Sequence, residues 1–429
     1  MTTGISTVNR PEVEHGPPAR CRWTVEPITD TAGCIQTGGT GASCWGFNQS
    51  NLVRHGDQVY ALSWRDDLSL VVFRRVAPGR WESSPPLPAT PQNGNLLVDR
   101  EGRVHVISGA NGRYHALFDP SGQIERFTVQ QLAEADSRFG AAIDEGDRIL
   151  VAGGLEALGW YVLDPASGYR PAAQGRLVHP AQRGYSFVTF HQGAAHAFNS
   201  DDYFQAGEEY PNQTVTYRDL QTGVMKTVVT PHGIYPVLRT YWYHAPDLLA
   251  APDDWRLIVV SDLSDTVAGP ARGTTEQQDL LLDDHGLVHL LYYENRDPST
   301  TVWAGEGQDQ AHSRLYHAVG KADGPLRHWC LGAYNGGRVV QGADGRFHYL
   351  LTRGKRGKAE ELWYAVGEGG SWGRISAPVR LDLPTRFWHL FLSAVRAGGT
   401  RSEVLDCYWT GAYQENSQQV WYGQLQPEG

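Results

Sequence analysis

The sequence predicts an all-β fold, a β-propeller closed by an N-terminal strand. Three observations carry this expectation. One hairpin pattern recurs: PQNGNLLVDREGRVHVISGA at Pro91–Ala110, QQDLLLDDHGLVHLLYYE at Gln277–Glu294, GRVVQGADGRFHYLLTR at Gly337–Arg353 and NQSNLVRHGDQVYALSWRD at Asn48–Asp66. Its turn glycines Gly56, Gly102, Gly146 and Gly193 are spaced 46, 44 and 47 residues apart. A repeat of that length holds four short strands, which is one propeller blade. The periodicity inside each copy is two, with Gly, Trp, Tyr and Val abundant, and this excludes helical arrays.

The elements follow in chain order. Residues 1–44 are rich in Pro, Gly and Thr and read as an arm over the surface, with 45–429 forming the propeller. Within the arm, Cys21–Pro27 has strand character. Pairing it with the final strand, Gln418–Leu425, would close the ring and remove the open sheet edges. The first unit runs from Asn48 through Leu68–Val76 to Trp81. The second takes its outer strands from Arg113–Phe118 and Gln123–Thr128. The third, at 138–153, ends with Trp160–Leu163 and Gly168–Pro171. The fourth, at 184–199, takes Gln213–Asp219 and Met225–Thr230 as outer strands. A segment at 239–262 repeats the pattern but leaves few residues for outer strands, so it reads as a stunted blade or an insertion in a neighbour. The units at 277 and 337 have aromatic third strands, Leu315–Val319 and Leu362–Val366, and a last copy lies at 388–409. The count is seven, with eight as the alternative.

Composition narrows the function. The net charge is −10 with no basic run, which disfavours a nucleic-acid partner. No stretch of about 18 apolar residues offers a membrane span. The opening residues, MTTGISTVNRPEVEHG, lack the regions of a signal peptide, giving a cytoplasmic expectation. Five cysteines, an odd count, point to reduced thiols. The spacing of Cys21, Cys34 and Cys44 matches no zinc motif. No cofactor is expected, although backbone carbonyls leave a central structural metal open.

In a propeller the first strand of each blade lines the axis, and ligands bind where the starts of these strands converge. The residues there include Asn48, Gln49 and Asn51; Gln92, Asn93 and Asn95; Arg138; Arg183 and Tyr185; Arg239, Tyr241, Tyr243 and His244; Gln277 and Gln278; Arg338; and Arg386, Trp388 and His389. Amides satisfy hydroxyls, Arg pairs with carboxylates in a bidentate fork, and aromatic faces stack on pyranose rings. The expected ligand is therefore a sugar or sugar acid. His105, His289 and His348 recur at one point of the second strand and read as packing positions.

The segment at 92–118, with its LLVD, GRVHV and RY elements, resembles the BNR-repeat propellers of the sialidase-like superfamily. It is similar to a blade of the BNR-type polysaccharide lyases, among them ulvan lyases and their rhamnose–glucuronate lyase and rhamnosidase relatives. The resemblance implies an acidic oligosaccharide as ligand and β-elimination at a uronic acid as chemistry. Elimination needs a group to neutralise the carboxylate, a base for the C5 proton and an acid for the leaving oxygen. The cluster Arg239–His244 offers Arg239 as neutraliser and Tyr243 or His244 as base or acid. Asn48, Gln49, Asn93, Asn95, Arg183, Tyr185, Tyr241, Gln278, Arg338 and His389 are the expected substrate contacts. Two alternatives stand beside the lyase: a glycosidase acting on rhamnosyl-glucuronate, and a non-catalytic sugar-binding propeller. The second is favoured by Pro91–Asn93 and Asn111, which occupy positions where those enzymes carry histidines.

Overall fold

The computed structural model describes residues 10–31, 48–67, 69–87, 94–109, 113–132, 139–154, 157–178, 182–203, 214–218, 225–229, 237–263, 274–296, 313–355, 358–367, 370–411 and 419–428. They are almost entirely strand. Among them the helical segments are two short 3-10 turns, Pro165–Ser167 and Val395–Ala397.

The arm contributes β1 (Glu14–Pro18) and β2 (Arg20–Ile28). Successive antiparallel quartets follow, each starting at the axis. The first is β3 (Leu52–His55), β4 (Gln58–Trp64), β5 (Leu70–Ala77) and β6 (Arg80–Ser83). The second is β7 (Gly94–Val98), β8 (Val104–Ser108), β9 (Arg113–Phe118) and β10 (Phe127–Leu132). The third is β11 (Phe139–Ile143), β12 (Ile149–Gly153), β13 (Ala157–Asp164) and β14 (Arg170–Val178). The fourth begins with β15 (Gln182–His191) and β16 (Ala194–Tyr203). A separate hairpin, β17 (Thr214–Arg218) and β18 (Met225–Val229), then intervenes. The quartet is completed by β19 (Val237–Ala245) and β20 (Arg256–Asp262). The fifth is β21 (Thr274–Leu282), β22 (Val288–Asn295), β23 (Ser313–Gly320) and β24 (Arg327–Gly332). The sixth is β25 (Gly336–Gln341), β26 (Phe347–Lys355) and β27 (Lys358–Gly367), edged by β28 (Arg374–Ala377) and β29 (Val379–Leu381). The last is β30 (Phe387–Leu392), β31 (Leu405–Gly411) and β32 (Val420–Glu428), with β2 as its outer strand.

The inner strands form a closed ring. β3 touches β7, and contacts continue in order through β11, β15, β21, β25 and β30 back to β3. The hydrophobic core is distributed between neighbouring blades. One cluster joins the third and fourth quartets through Leu150, Trp160, Val188 and Tyr243. Another joins the fourth and fifth through Phe187, Trp242, Leu280 and Leu290. The seam between last and first is filled by Tyr408, Tyr422, Leu52 and Phe73.

The expected closing strand pairs as read. β2 runs antiparallel to β32, with Cys21 opposite Pro427 and Pro27 opposite Trp421. Glu26 fixes the closure. Its carboxylate accepts from Arg75 at 2.8 and 3.0 Å, from the Gly79 N–H at 2.8 Å and from the Trp81 indole at 3.0 Å, all on the first quartet. Cys21, Cys330 and Cys407 are free thiols, while Cys34 and Cys44 lie outside the described residues.

Two expectations are corrected. The segment 239–262 is not a blade of its own but the outer half of the fourth quartet: Ala197 faces Tyr243, and Trp242 faces Ile258. Met225–Thr230 and its partner are not the outer strands of that quartet. Among the described residues they pair only with each other, Thr214 opposite Val229. An outer strand is defined by which strand it pairs with, and an inserted hairpin displaces the true partner along the chain.

The packing histidines are where their spacing placed them. His105 and His289 are fully buried, and His348 nearly so. Each of the first two sits in a relay. Asp99 accepts from His105 Nε2 at 3.3 Å, His115 Nε2 donates to His105 Nδ1 at 2.9 Å, and Gln130 donates to His115 Nδ1 at 2.9 Å. Asp283, His289, His317 and the Tyr349 hydroxyl repeat the arrangement in the fifth quartet at 3.1, 3.0 and 3.1 Å. Both relays are satisfied with neutral imidazoles. Burial pushes the His115 pKa down to about 3, and His105 beside it acts in the same direction.

Candidate functional site

Every inner strand enters at one mouth of the axis, and all but β30 leave through a tight turn at the other. The two mouths differ in what closes them. The turn mouth is half covered by the connection from β30 to β31. Its 3-10 turn reaches the inner strands of the second, third and fourth quartets. Gly398 follows this turn with φ +81°, and a Cβ there would lie 1.7 Å from the Val98 carbonyl oxygen, so only glycine fits. Between this connection and the inner strands lies a cleft of about 320 Å³ lined by Phe190, His191, Leu282, Val340, Val395 and Arg401.

The entry mouth is organised by the irregular segment Asn48–Asn51. The Asn48 side chain donates to the Ser186 carbonyl of β15 at 2.8 Å. Two residues on, the Ser50 N–H donates to Asn95 Oδ1 at 3.2 Å, and the Leu96 N–H returns to the Ser50 carbonyl at 2.6 Å. Asn95 also ties in β11, accepting from the Ala141 N–H at 3.2 Å and donating to the Phe139 carbonyl at 3.4 Å. The segment thus bridges the inner strands of the second, third and fourth quartets. Gly140 lets β11 and β15 close up beneath it: a Cβ there would meet the Ser186 oxygen at 2.5 Å. Gln49 lies between these anchors, 2% exposed, and neither atom of its amide has a partner among the described residues. The Ser186 hydroxyl, fully buried, is likewise without one.

Phe187, fully buried in the seam between the fourth and fifth quartets, is flanked by two guanidinium groups, Arg338 at 5.2 Å and Arg396 at 5.4 Å from its ring centre. Such cation–aromatic contacts gain strength where water is excluded. Arg338 also donates from Nε to the Leu390 carbonyl at 2.7 Å. Asp279 serves Arg396 at 2.8 Å and the N–H groups of Leu280 and Val339 at 3.0 Å each. Burial lowers the Arg338 pKa to about 10. Asp279 opposes the shift and Arg396 adds to it. The group stays charged at neutral pH, and with Arg396 paired to Asp279 the three leave one net positive charge beside the Phe187 ring. It is chemically suited to a carboxylate approaching from the entry mouth.

The sequence-predicted residues divide into three sets. Asn48, Gln49, Asn95 and Arg338 belong to the inner ring just described. Tyr185 and Gln278 lie on inner strands: the Tyr185 carbonyl accepts from Gln277 at 2.8 Å, and Gln278 donates back to the Gln277 carbonyl at 3.1 Å in a bulge of β21. Asn93 lies outside the described residues. Arg183 and His389 fall on β15 and β30, but their side chains are also outside that set.

The catalytic cluster is relocated. Arg239, Tyr241, Tyr243 and His244 do not flank an inner strand; they occupy β19, third in its quartet. Arg239, 1% exposed, donates to Asp262 on β20 at 3.2 Å. Tyr241 and Tyr243 share its face, as alternation required, and pack in the core against the third quartet. His244 faces the other way, stacked on His196 at 4.6 Å in the seam toward the fifth quartet. Five strand residues separate Arg239 from His244, about 16 Å of rise, so the two do not meet at one reacting centre.

No family model matches this chain, and no curated protein sequence does. Solved structures do resemble it. The polysaccharide lyase Uly1 aligns over 95% of this chain and 99% of its own, with TM-score 0.54 and 7% identity. A PL25 ulvan lyase bound to -[GlcA(1-4)Rha3S]- aligns over 93% and 95%, with TM-score 0.52 and 11% identity. These are likenesses of fold.

Sequence reasoning missed Ser186, Phe187 and Arg396. Ser186 and Phe187 look like ordinary residues of an alternating strand. Arg396 lies almost three hundred and fifty residues from the Asn48 segment. Only ring closure brings it to the axis.

Proposed function

We propose that this propeller is a carbohydrate-active protein whose ligand is an oligosaccharide containing uronic acid, bound at the entry mouth and cleaved there by β-elimination. The observation that carries the reading is the inner ring itself. Amides lie on the Asn48–Asn51 segment and β7, and beyond them lies the buried cation Arg338, with Arg396 held by Asp279. Hydroxyls suit the first and a carboxylate the second. The fold likeness to lyases, one of them holding a glucuronate–rhamnose ligand, supports the same class of ligand.

A second reading is a non-catalytic sugar-binding propeller. It is favoured by the burial of Tyr243 and His244 in the seams of the fourth quartet, away from the axis. One experiment separates these readings. The protein is incubated with glucuronate–rhamnose oligosaccharides while near-ultraviolet absorbance and binding heat are followed. Elimination yields an unsaturated product that absorbs there. Cleavage without absorbance indicates a glycosidase, and binding without cleavage indicates the sugar-binding protein. Neither binding nor cleavage across a panel of uronate oligosaccharides would refute the ligand class.

A further inference from the structure

We infer that Gln49 and the Ser186 hydroxyl contact the ligand's hydroxyl groups at the entry mouth. This rests on the proposed carbohydrate ligand and names the part of the site that reads its neutral face. Gln49 presents an acceptor and a donor side by side, and both are without a partner among the described residues at 2% exposure. Buried side-chain amides are rarely left this way, because a group that has lost water and gained nothing destabilises the fold. The Ser186 hydroxyl, equally unpartnered, belongs to the residue whose carbonyl holds Asn48. Ser186 is therefore tied to the residue next to Gln49.

An adjacent pair of hydroxyls on a pyranose fits this set. One hydroxyl donates to Gln49 Oε1, its neighbour accepts from Gln49 Nε2, and Ser186 Oγ takes a further contact. Both groups are buried, so contact with the ligand requires the chain over them to move. The contact set holds only polar partners of neutral chemistry, which separates it from Arg338 and Arg396. The ligand's hydroxyl face is thus read by the first turn of chain over the axis and its carboxylate by the Arg338 guanidinium.

This arrangement has a signature that a structural role lacks. Gln49→Met keeps the side-chain volume and removes two unsatisfied polar atoms, and Ser186→Ala removes one. Each variant is expected to raise the thermal midpoint of the free protein, by about 1–3 °C. Each is also expected to weaken binding of a glucuronate–rhamnose oligosaccharide about tenfold by calorimetry. A lowered midpoint in Gln49→Met would show that the amide is satisfied in the resting protein and overturn the inference. So would wild-type affinity in both variants, with the proposed ligand left intact. A wild-type protein that binds no uronate oligosaccharide removes the ligand reading itself, and this outcome is distinct from the other two.

Discussion

At the scale of single residues, the buried histidines set how the fold responds to acid. Burial pushes His115 and His196 down to about 3 and His328 to about 4, with neighbouring charges contributing less. A histidine whose folded pKa lies below its unfolded value of about 6.5 takes up its proton only on unfolding. Its contribution to stability is full above about 6.5 and is lost as pH falls toward the folded value. At pH 5.5 each of the three costs about 1.4 kcal/mol, roughly 4 kcal/mol together. Urea unfolding at pH 7.5 and 5.5 should show a loss of that order. His196→Phe should reduce it by about 1.4 kcal/mol, because it removes one titrating ring and keeps an aromatic stacked on His244. An unfolding midpoint that does not move between the two pH values would mean these imidazoles are not held neutral. Asp99 acts at lower pH. Burial opposes its ionisation, yet hydrogen bonds from His105 and Arg103 hold it at about 2, so its share is lost only below about 3.8.

At the scale of elements, β2 decides whether the ring stays shut. It adds the outer strand to the last quartet and lends Glu26 to the first. Burial works against the Glu26 carboxylate, but donors from Arg75, Gly79 and Trp81 hold its pKa below the usual value. Glu26→Ala removes a charged acceptor from four hydrogen bonds and leaves a guanidinium beside Tyr422. The expected cost is about 2–3 kcal/mol, read as a lower urea midpoint at neutral pH. Glu26→Gln should fall between, since it keeps the shape and loses the charge. Equal stability of all three forms would mean that strand pairing alone carries the closure. The same scale explains the relocated cluster. Arg239, Tyr241 and Tyr243 keep the shared face that alternation gives any strand. Which strand of a quartet carries them is a matter of pairing, and pairing is not written in the local pattern.

At the scale of the whole molecule, closure converts weak blades into one body. Each quartet buries its faces only against its neighbours, so an opened ring exposes the Tyr408–Tyr422 seam and the edge of β32 together. Removal of residues 1–28 is therefore expected to give aggregated or unfolded protein rather than a shorter folded one, by size-exclusion chromatography and circular dichroism. A folded monomer from that truncation would place the closure elsewhere. Closure also builds the site. Asn48, Asn95, Ser186, Arg338 and Arg396 come from five separate stretches of chain, brought into the inner ring and its cover because the ring is complete.

The sequence alone determined what local chemistry determines. Alternation and recurring turn glycines specified strands, hairpins and the repeat, and a strand-like arm with no partner nearby specified where closure would come from. Polar residues at the starts of inner strands gave Asn48, Gln49, Asn95 and Arg338. Tertiary structure alone decided which strands are inner and which are third, because β-pairing is a contact between distant segments and one inserted hairpin, β17 with β18, shifts the partner by some thirty residues. It alone brought Ser186, Phe187 and Arg396 to the axis, since strand alternation fixes a side chain's face but not what faces it. It alone left Gln49 and Ser186 without partners among the described residues, because whether a buried polar group is satisfied depends on every neighbour that the closed ring supplies.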